Sequence, residues 1–88
     1  MQKTLTSADY ARLIGFLVAA REKAGIRQRA LAEALDVPQS FVAKYEGGER
    51  RIDVIEFVTI ARALGADPLK ILRDFLAGKE ALRKPRES

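Results

Sequence analysis

The sequence predicts an all-α domain of five helices, and three observations carry that expectation. Apolar residues recur at the three- and four-residue spacing of helices. Gly and Pro are confined to short gaps between those runs. No alternating apolar and polar stretch extends beyond a few residues, so no strand is expected.

The first helix is expected over residues 7–24. Ser7 supplies an N-cap and Asp9 lies in the first turn. Tyr10, Leu13, Ile14, Leu17, Val18 and Arg21 then form a stripe that Gly25 stops. A second, short helix over 28–35 carries Leu31 and Leu35 on one side. A third over 39–46 follows after only Asp36, Val37 and Pro38, too short a connector for two such helices to lie antiparallel. Gly47-Gly48 ends the third helix and opens the charged loop Glu49-Arg50-Arg51. Asp53 caps a fourth helix over 54–64, whose buried stripe is expected to be Phe57, Ile60, Ala61 and Leu64. Asp67 followed by Pro68 opens a fifth over 68–77, with a stripe among Leu69, Ile71, Leu72, Phe75 and Leu76. Residues 1–78 thus read as one domain, and the charged segment 79–88 as a disordered tail.

Composition removes whole classes of function. The 88 residues contain no Cys and no His, so thiolate and imidazole metal sites and Ser-His or Cys-His chemistry are excluded by counting. The carboxylates are scattered and no Gly-rich phosphate loop occurs, so the chain is not expected to be an enzyme, and no cofactor, metal or small-molecule ligand is expected. The uncharged run Leu13 to Ala20 is far below the roughly 20 residues of a membrane span, and the first residues lack the pattern of a secretory signal. A cytoplasmic protein is the expectation. The net charge of +4 is modest, so a polyanion would have to be met by a local basic patch. A chain this short buries only about 60–65% of its unfolded surface, which favours pairing with a second copy.

The segment from Gln28 to Glu46 is the most informative. Two helices of eight residues, each about 12 Å long, cannot hold themselves and must rest on the first and fourth helices, leaving their outer faces free. Ala32 suits a close helix crossing. Val42 and Tyr45 are expected to point inward with Leu31 and Leu35. Gln39, Ser40, Ala43 and Lys44 then face outward as a narrow row of hydrogen-bonding groups, one small side chain and one cation, dimensions that a DNA major groove admits.

From about Leu13 to Leu76 the chain resembles the helix-turn-helix family of the lambdoid phage repressors, Cro and the xenobiotic-response-element (XRE) type regulators. The matching features are Arg21 late in the first helix, Lys23-Ala24-Gly25 after it, and Gln28 and Leu31-Ala32 in the second. They continue with Val42 and Tyr45-Glu46-Gly47 in the third and Ala61-Arg62-Ala63-Leu64-Gly65 closing the fourth. Their order and spacing, rather than any one of them, make the likeness specific.

The resemblance implies a five-helix, lambda-repressor-like fold and a transcriptional regulator encoded by a bacterium or a phage. It implies that Gln28 reaches a phosphate and that Gln39, Ser40 and Lys44 face base edges. Gln39 suits adenine, Lys44 suits guanine, and Ala43 suits a thymine methyl. It also implies a structural ion pair between Arg21 and Glu46 that ties the first helix to the end of the recognition helix. Three departures stand out. Asp36 replaces the usual turn Gly, Pro38 replaces the usual Ser or Thr cap of the third helix, and Arg27 replaces a polar cap of the second. The first amides of both short helices are thereby free to face phosphates, with Arg27 and Arg29 beside them. Arg50 and Arg51, in the loop that lies along the backbone in relatives, are further phosphate candidates, ahead of Arg83, Lys84 and Arg86.

The fourth helix carries more apolar surface than one core stripe needs. Val54, Ile55 and Val58, with Leu72, Phe75 and Leu76 of the fifth, are candidates for a homodimer contact. The function expected is a sequence-specific regulator, in the first place a repressor, bound as a homodimer to palindromic double-stranded DNA. The alternative is an antitoxin-like or other module whose main partner is a protein and whose DNA contact is secondary.

Overall fold

A computed structural model describes residues 7–81, Ser7 by its backbone alone. It contains five helices: α1 (Ser7–Ala24), α2 (Gln28–Leu35), α3 (Gln39–Glu46), α4 (Val54–Ala63) and α5 (Pro68–Leu76). Among the described residues there is no strand, and no helix is long and apolar enough to cross a membrane. The expected cap at Ser7 concerns a side chain outside the described residues.

Each turn has a local cause. Asp36 follows α2 in the left-handed region, at φ 59° and ψ 47°, and the Val37 amide donates to the Ala32 carbonyl at 3.0 Å. Glycine would adopt this conformation without strain, whereas Asp tolerates it better than most residues. Asp53 caps α4 reciprocally: its Oδ1 accepts from the Glu56 amide at 2.7 Å, and Glu56 Oε1 accepts from the Asp53 amide at 2.9 Å. Asp67 Oδ1 accepts from the Leu69 amide at 2.9 Å at the start of α5. Arg27 and Pro38 precede α2 and α3 without any side-chain cap. Helices α4 and α5 stop one residue short of the expected ends, because Leu64 and Ala77 already serve as C-caps before Gly65 and Gly78 turn the chain at positive φ.

The core draws on every helix: Ile14, Leu17 and Val18 of α1, Leu31 and Ala32 of α2, Val42 and Tyr45 of α3, Phe57, Ile60 and Ala61 of α4 with its cap Leu64, and Ile71 of α5. Burial of side chains such as Leu17, Leu31 and Ile60 stabilises by about 1.5–3 kcal/mol each. Leu35, expected inside with Leu31, lies at the end of α2 and is only partly buried. Helices α2 and α3 pack on each other, α2 also on α4 and α3 also on α1. The short pair is thus propped from behind while its outer side stays open.

The first residues of the segment expected as a tail have contacts with α1. Arg12 Nη1 donates to the Phe75 and Lys79 carbonyls, both at 3.0 Å, and its guanidinium lies 4.2 Å from the centre of the Phe75 ring. The Ala81 methyl is 3.9 Å from where a side chain on Gly15 would begin. Residues 79–81 therefore lie along α1, with the Lys79 carbonyl on Arg12 and Ala81 beside Gly15, contacts that charge composition does not reveal. Residues 82–88, with Arg83, Lys84 and Arg86, lie outside the described residues.

Candidate nucleic-acid interface

The exposed side of α3 follows from its buried side. Val42 and Tyr45 have no solvent exposure, and at 100° per residue this fixes the opposite face. Gln39, Ser40, Ala43 and Lys44 are all exposed on it, giving an amide, a hydroxyl, a methyl and an ammonium in one strip. The α3 carbonyls behind this strip are engaged by the following loop: the Lys44 carbonyl accepts from the Glu49 amide at 2.9 Å and the Arg50 amide at 3.3 Å.

The end of α3 is held by a three-residue network. Arg21 Nε and Nη2 meet the two oxygens of Glu46 at 2.7 and 3.0 Å, and Arg21 Nη1 donates to the Ile26 carbonyl at 2.9 Å. Gln28 Nε2 donates to Glu46 Oε1 at 2.9 Å. The Arg21 and Glu46 side chains are only 14% and 8% exposed, so this is a two-point ion pair largely withdrawn from water. The Glu46 hydrogen bond pushes the Arg21 guanidinium above its ordinary pKa. Gln28, named as a phosphate contact, spends one amide hydrogen on Glu46, and so joins α2 to the base of α3.

The remaining basic residues divide. Arg27 and Arg29 are exposed at the start of α2, Arg29 with a loose pairing to Glu33 at 3.8 Å. Arg51 lies with its guanidinium 4.8 Å from the centre of the Tyr10 ring. Arg50, expected on phosphates, turns back to the protein. Its Nη1 and Nη2 reach Glu56 Oε1 and Oε2 at 3.2 and 3.0 Å, Nη1 also donates to the Arg51 carbonyl at 3.0 Å, and the guanidinium lies 4.6 Å from the centre of the Phe41 ring. The Arg50 contact, followed by the Asp53 amide, lowers the Glu56 pKa, and Glu56 in turn raises that of Arg50. Tyr10 fastens the same loop to α1: its hydroxyl donates to the Arg50 carbonyl at 3.0 Å and accepts from the Ile52 amide at 3.2 Å. Phe41, Glu56 and the Tyr10 hydroxyl were not foreseen as parts of this region. The capping-box spacing from Asp53 to Glu56 is the one sequence signal that marks Glu56.

The apolar surface candidates also divide. Val54, Ile55 and Leu76 are exposed, at 72%, 74% and 80%, and so is Leu69 at 66%. Val58 and Leu72 are packed against the core, and Phe75 is partly covered by Arg12. These three are thus largely engaged within the subunit, Val58 and Leu72 on the core and Phe75 on α1. Among the described residues no group of three or more acidic, Cys or His side chains is placed to hold a metal ion.

A buried short helix with one open polar face, set on a second short helix through a three-residue turn, is the arrangement that comparison with known proteins identifies. The helix-turn-helix family model matches residues 17–71, more than half of the chain. The chain belongs to the XRE-type helix-turn-helix family. An XRE-family-like protein from Pseudomonas syringae pv. tomato superimposes with a TM-score of 0.81 at 47% identity, covering 86% of this chain and 93% of that one. The clp gene regulator ClgR from C. glutamicum superimposes with a TM-score of 0.67 at 27% identity, covering 82% and 92%. No curated protein matches. This XRE-family domain is therefore the DNA-binding domain of a transcription regulator, with α2 and α3 as its helix-turn-helix.

Proposed function

We propose that the domain reads a specific double-stranded sequence by laying α3 in the major groove and acts as a homodimeric repressor on a palindromic operator. The observation that carries the proposal is the strip Gln39, Ser40, Ala43 and Lys44, exposed on a helix whose other face, through Val42 and Tyr45, is fully buried. A rigid helix presenting short polar groups is what base-edge readout requires. Gln39 is assigned to adenine, Lys44 to guanine O6 and N7, Ala43 to a thymine methyl, and Ser40 to a base edge. Arg27, Arg29 and Arg51, with the remaining amide hydrogen of Gln28, are assigned to the sugar-phosphate backbone. The uncapped starts of α2 and α3 direct free amides to the same backbone.

A second copy has Val54, Ile55 and Leu76 to cover, since these stand in solvent while Val58 and Leu72 already serve the subunit's core. Two-fold pairing would place the recognition helices about 34 Å apart, one turn of the duplex. Selection from a random-duplex library tests the whole reading. Enrichment of an inverted repeat with that spacing is the expected result. No enrichment, together with capture of one stoichiometric protein partner, would replace it with an antitoxin-like interaction role.

A further inference from the structure

Helix α3 is pinned at its end by Arg21, Glu46 and Gln28, but its start has no side-chain cap. Val42 seats this first half in the core, and beside it Phe41, only half-buried, packs at the core's edge. One contact of Phe41 is the Tyr45 ring, edge-on at 5.8 Å between centres. An apolar hollow of about 200 Å³ adjoins Phe41, lined also by Leu35, Val37, Ile55 and Ile60. The ring packs against the core on one side, but its side toward the hollow lacks close neighbours and so loses their dispersion contacts. Arg50 supplies a stop. Its guanidinium lies against the Phe41 ring, and both its terminal nitrogens are anchored on Glu56 of α4. Glu56 is itself fixed by the capping box, and the Arg50 backbone is held by the Tyr10 hydroxyl and the Lys44 carbonyl.

We propose that Arg50 is a positioning residue for base recognition, a strut from α4 to Phe41 that, with the buried Val42 and Tyr45, holds the rotation of α3 and so the aim of Gln39, Ser40 and Lys44. It is not a phosphate anchor. The inference rests on the reading of α3 as the base-contacting helix. It uses the property that separates Arg from Lys, a planar cation that stacks on a ring while binding a carboxylate at two points.

The test uses the full chain, a duplex obtained by selection and a scrambled duplex of equal length, with affinity measured against salt concentration. Arg50→Met, Arg50→Lys and Glu56→Gln are each expected to lower the preference for the selected duplex roughly tenfold, the scale of one misaimed base contact. The salt slope should stay at its wild-type value for Arg50→Met and Arg50→Lys. A phosphate anchor behaves oppositely on three counts. Arg50→Met would weaken both duplexes equally and flatten the slope by about 0.9, Arg50→Lys would retain binding, and Glu56→Gln would tighten both duplexes by releasing a cation. Any of those results overturns the strut. If the wild-type chain prefers no duplex at all, the reading of α3 fails first and the strut with it, so the two failures are distinguishable.

Discussion

Arg21 and Glu46 meet through two parallel contacts, Nε to Oε2 at 2.7 Å and Nη2 to Oε1 at 3.0 Å, across 25 residues of sequence. Both side chains are nearly withdrawn from solvent. Removing one partner strands the other charge. Arg21→Met is therefore expected to destabilise the domain by about 3–5 kcal/mol, a large share of the total stability of a small domain. The double change Arg21→Met with Glu46→Leu should recover most of that loss. Urea unfolding of the two variants checks this, and a double variant no more stable than the single one would contradict it.

Lys44 is exposed at the end of the polar strip on α3. Lys44→Ala should cost roughly 1–3 kcal/mol on the selected duplex and relax the preference at one base pair. Binding to a panel of single-base variants reads this out. An equal loss on every duplex would make Lys44 a phosphate contact instead.

Tyr45 has no solvent exposure, and among the described residues its hydroxyl has no hydrogen-bond partner. Tyr45→Phe keeps the ring and removes an unsatisfied polar atom, so stability should be unchanged or rise by about 1 kcal/mol. Burial raises the Tyr45 pKa above its ordinary 10.0. The folded state therefore holds that proton more tightly than the unfolded one, and its contribution is present below pH 10 and lost as pH rises beyond it. Tyr45→Phe should thus also soften the alkaline limb of the stability curve. A clear destabilisation at neutral pH would contradict the prediction.

With no His in the chain, stability should be flat across neutral pH. Glu56 and Asp74 are held below their ordinary values of 4.5 and 3.8, through Arg50 and Lys70 respectively. Their folded forms bind protons less readily than the unfolded chain, so their contribution is present above those values and lost as pH falls through the lowered ones. Thermal midpoints measured from about pH 3 to 8 should fall only at the acid end, and Glu56→Gln should reduce that fall. A transition near pH 6.5 would be unexplained.

Ile55 is 74% exposed and Leu76 is 80% exposed. Substituting Asp at either position should leave folding intact and, at the position that the second copy covers, shift the sedimenting species from dimer to monomer. If neither substitution changes the oligomeric state, the proposed contact is wrong.

Much of the architecture was legible because it is governed by local chemistry. Asp53 three residues before Glu56, Asp67 before Pro68, and Gly25 and Gly65 after apolar runs each fix a helix end within a few residues of chain. The α4 stripe of Phe57, Ile60, Ala61 and Leu64 is buried as its spacing required. The four-residue strip on α3 was legible for the same reason, since Val42 and Tyr45 determine its opposite face. What the sequence did not reveal depends on where the loop travels. Arg50 reads as a free cation beside a second arginine, and nothing in the spacing from 41 to 50 to 56 shows that the chain folds back to bring these side chains together. Val58 and Leu72 likewise look like surplus apolar surface until the fold sets them against the core.

The Tyr10 hydroxyl, which bridges the Arg50 carbonyl and the Ile52 amide, has a consequence for the timing of an encounter. The loop after α3 is already set in place by α1, so docking on a duplex need not wait for that segment to order. Little conformational entropy remains to be lost there, and the association rate should be governed by diffusion and the field of the basic groups rather than by a folding step.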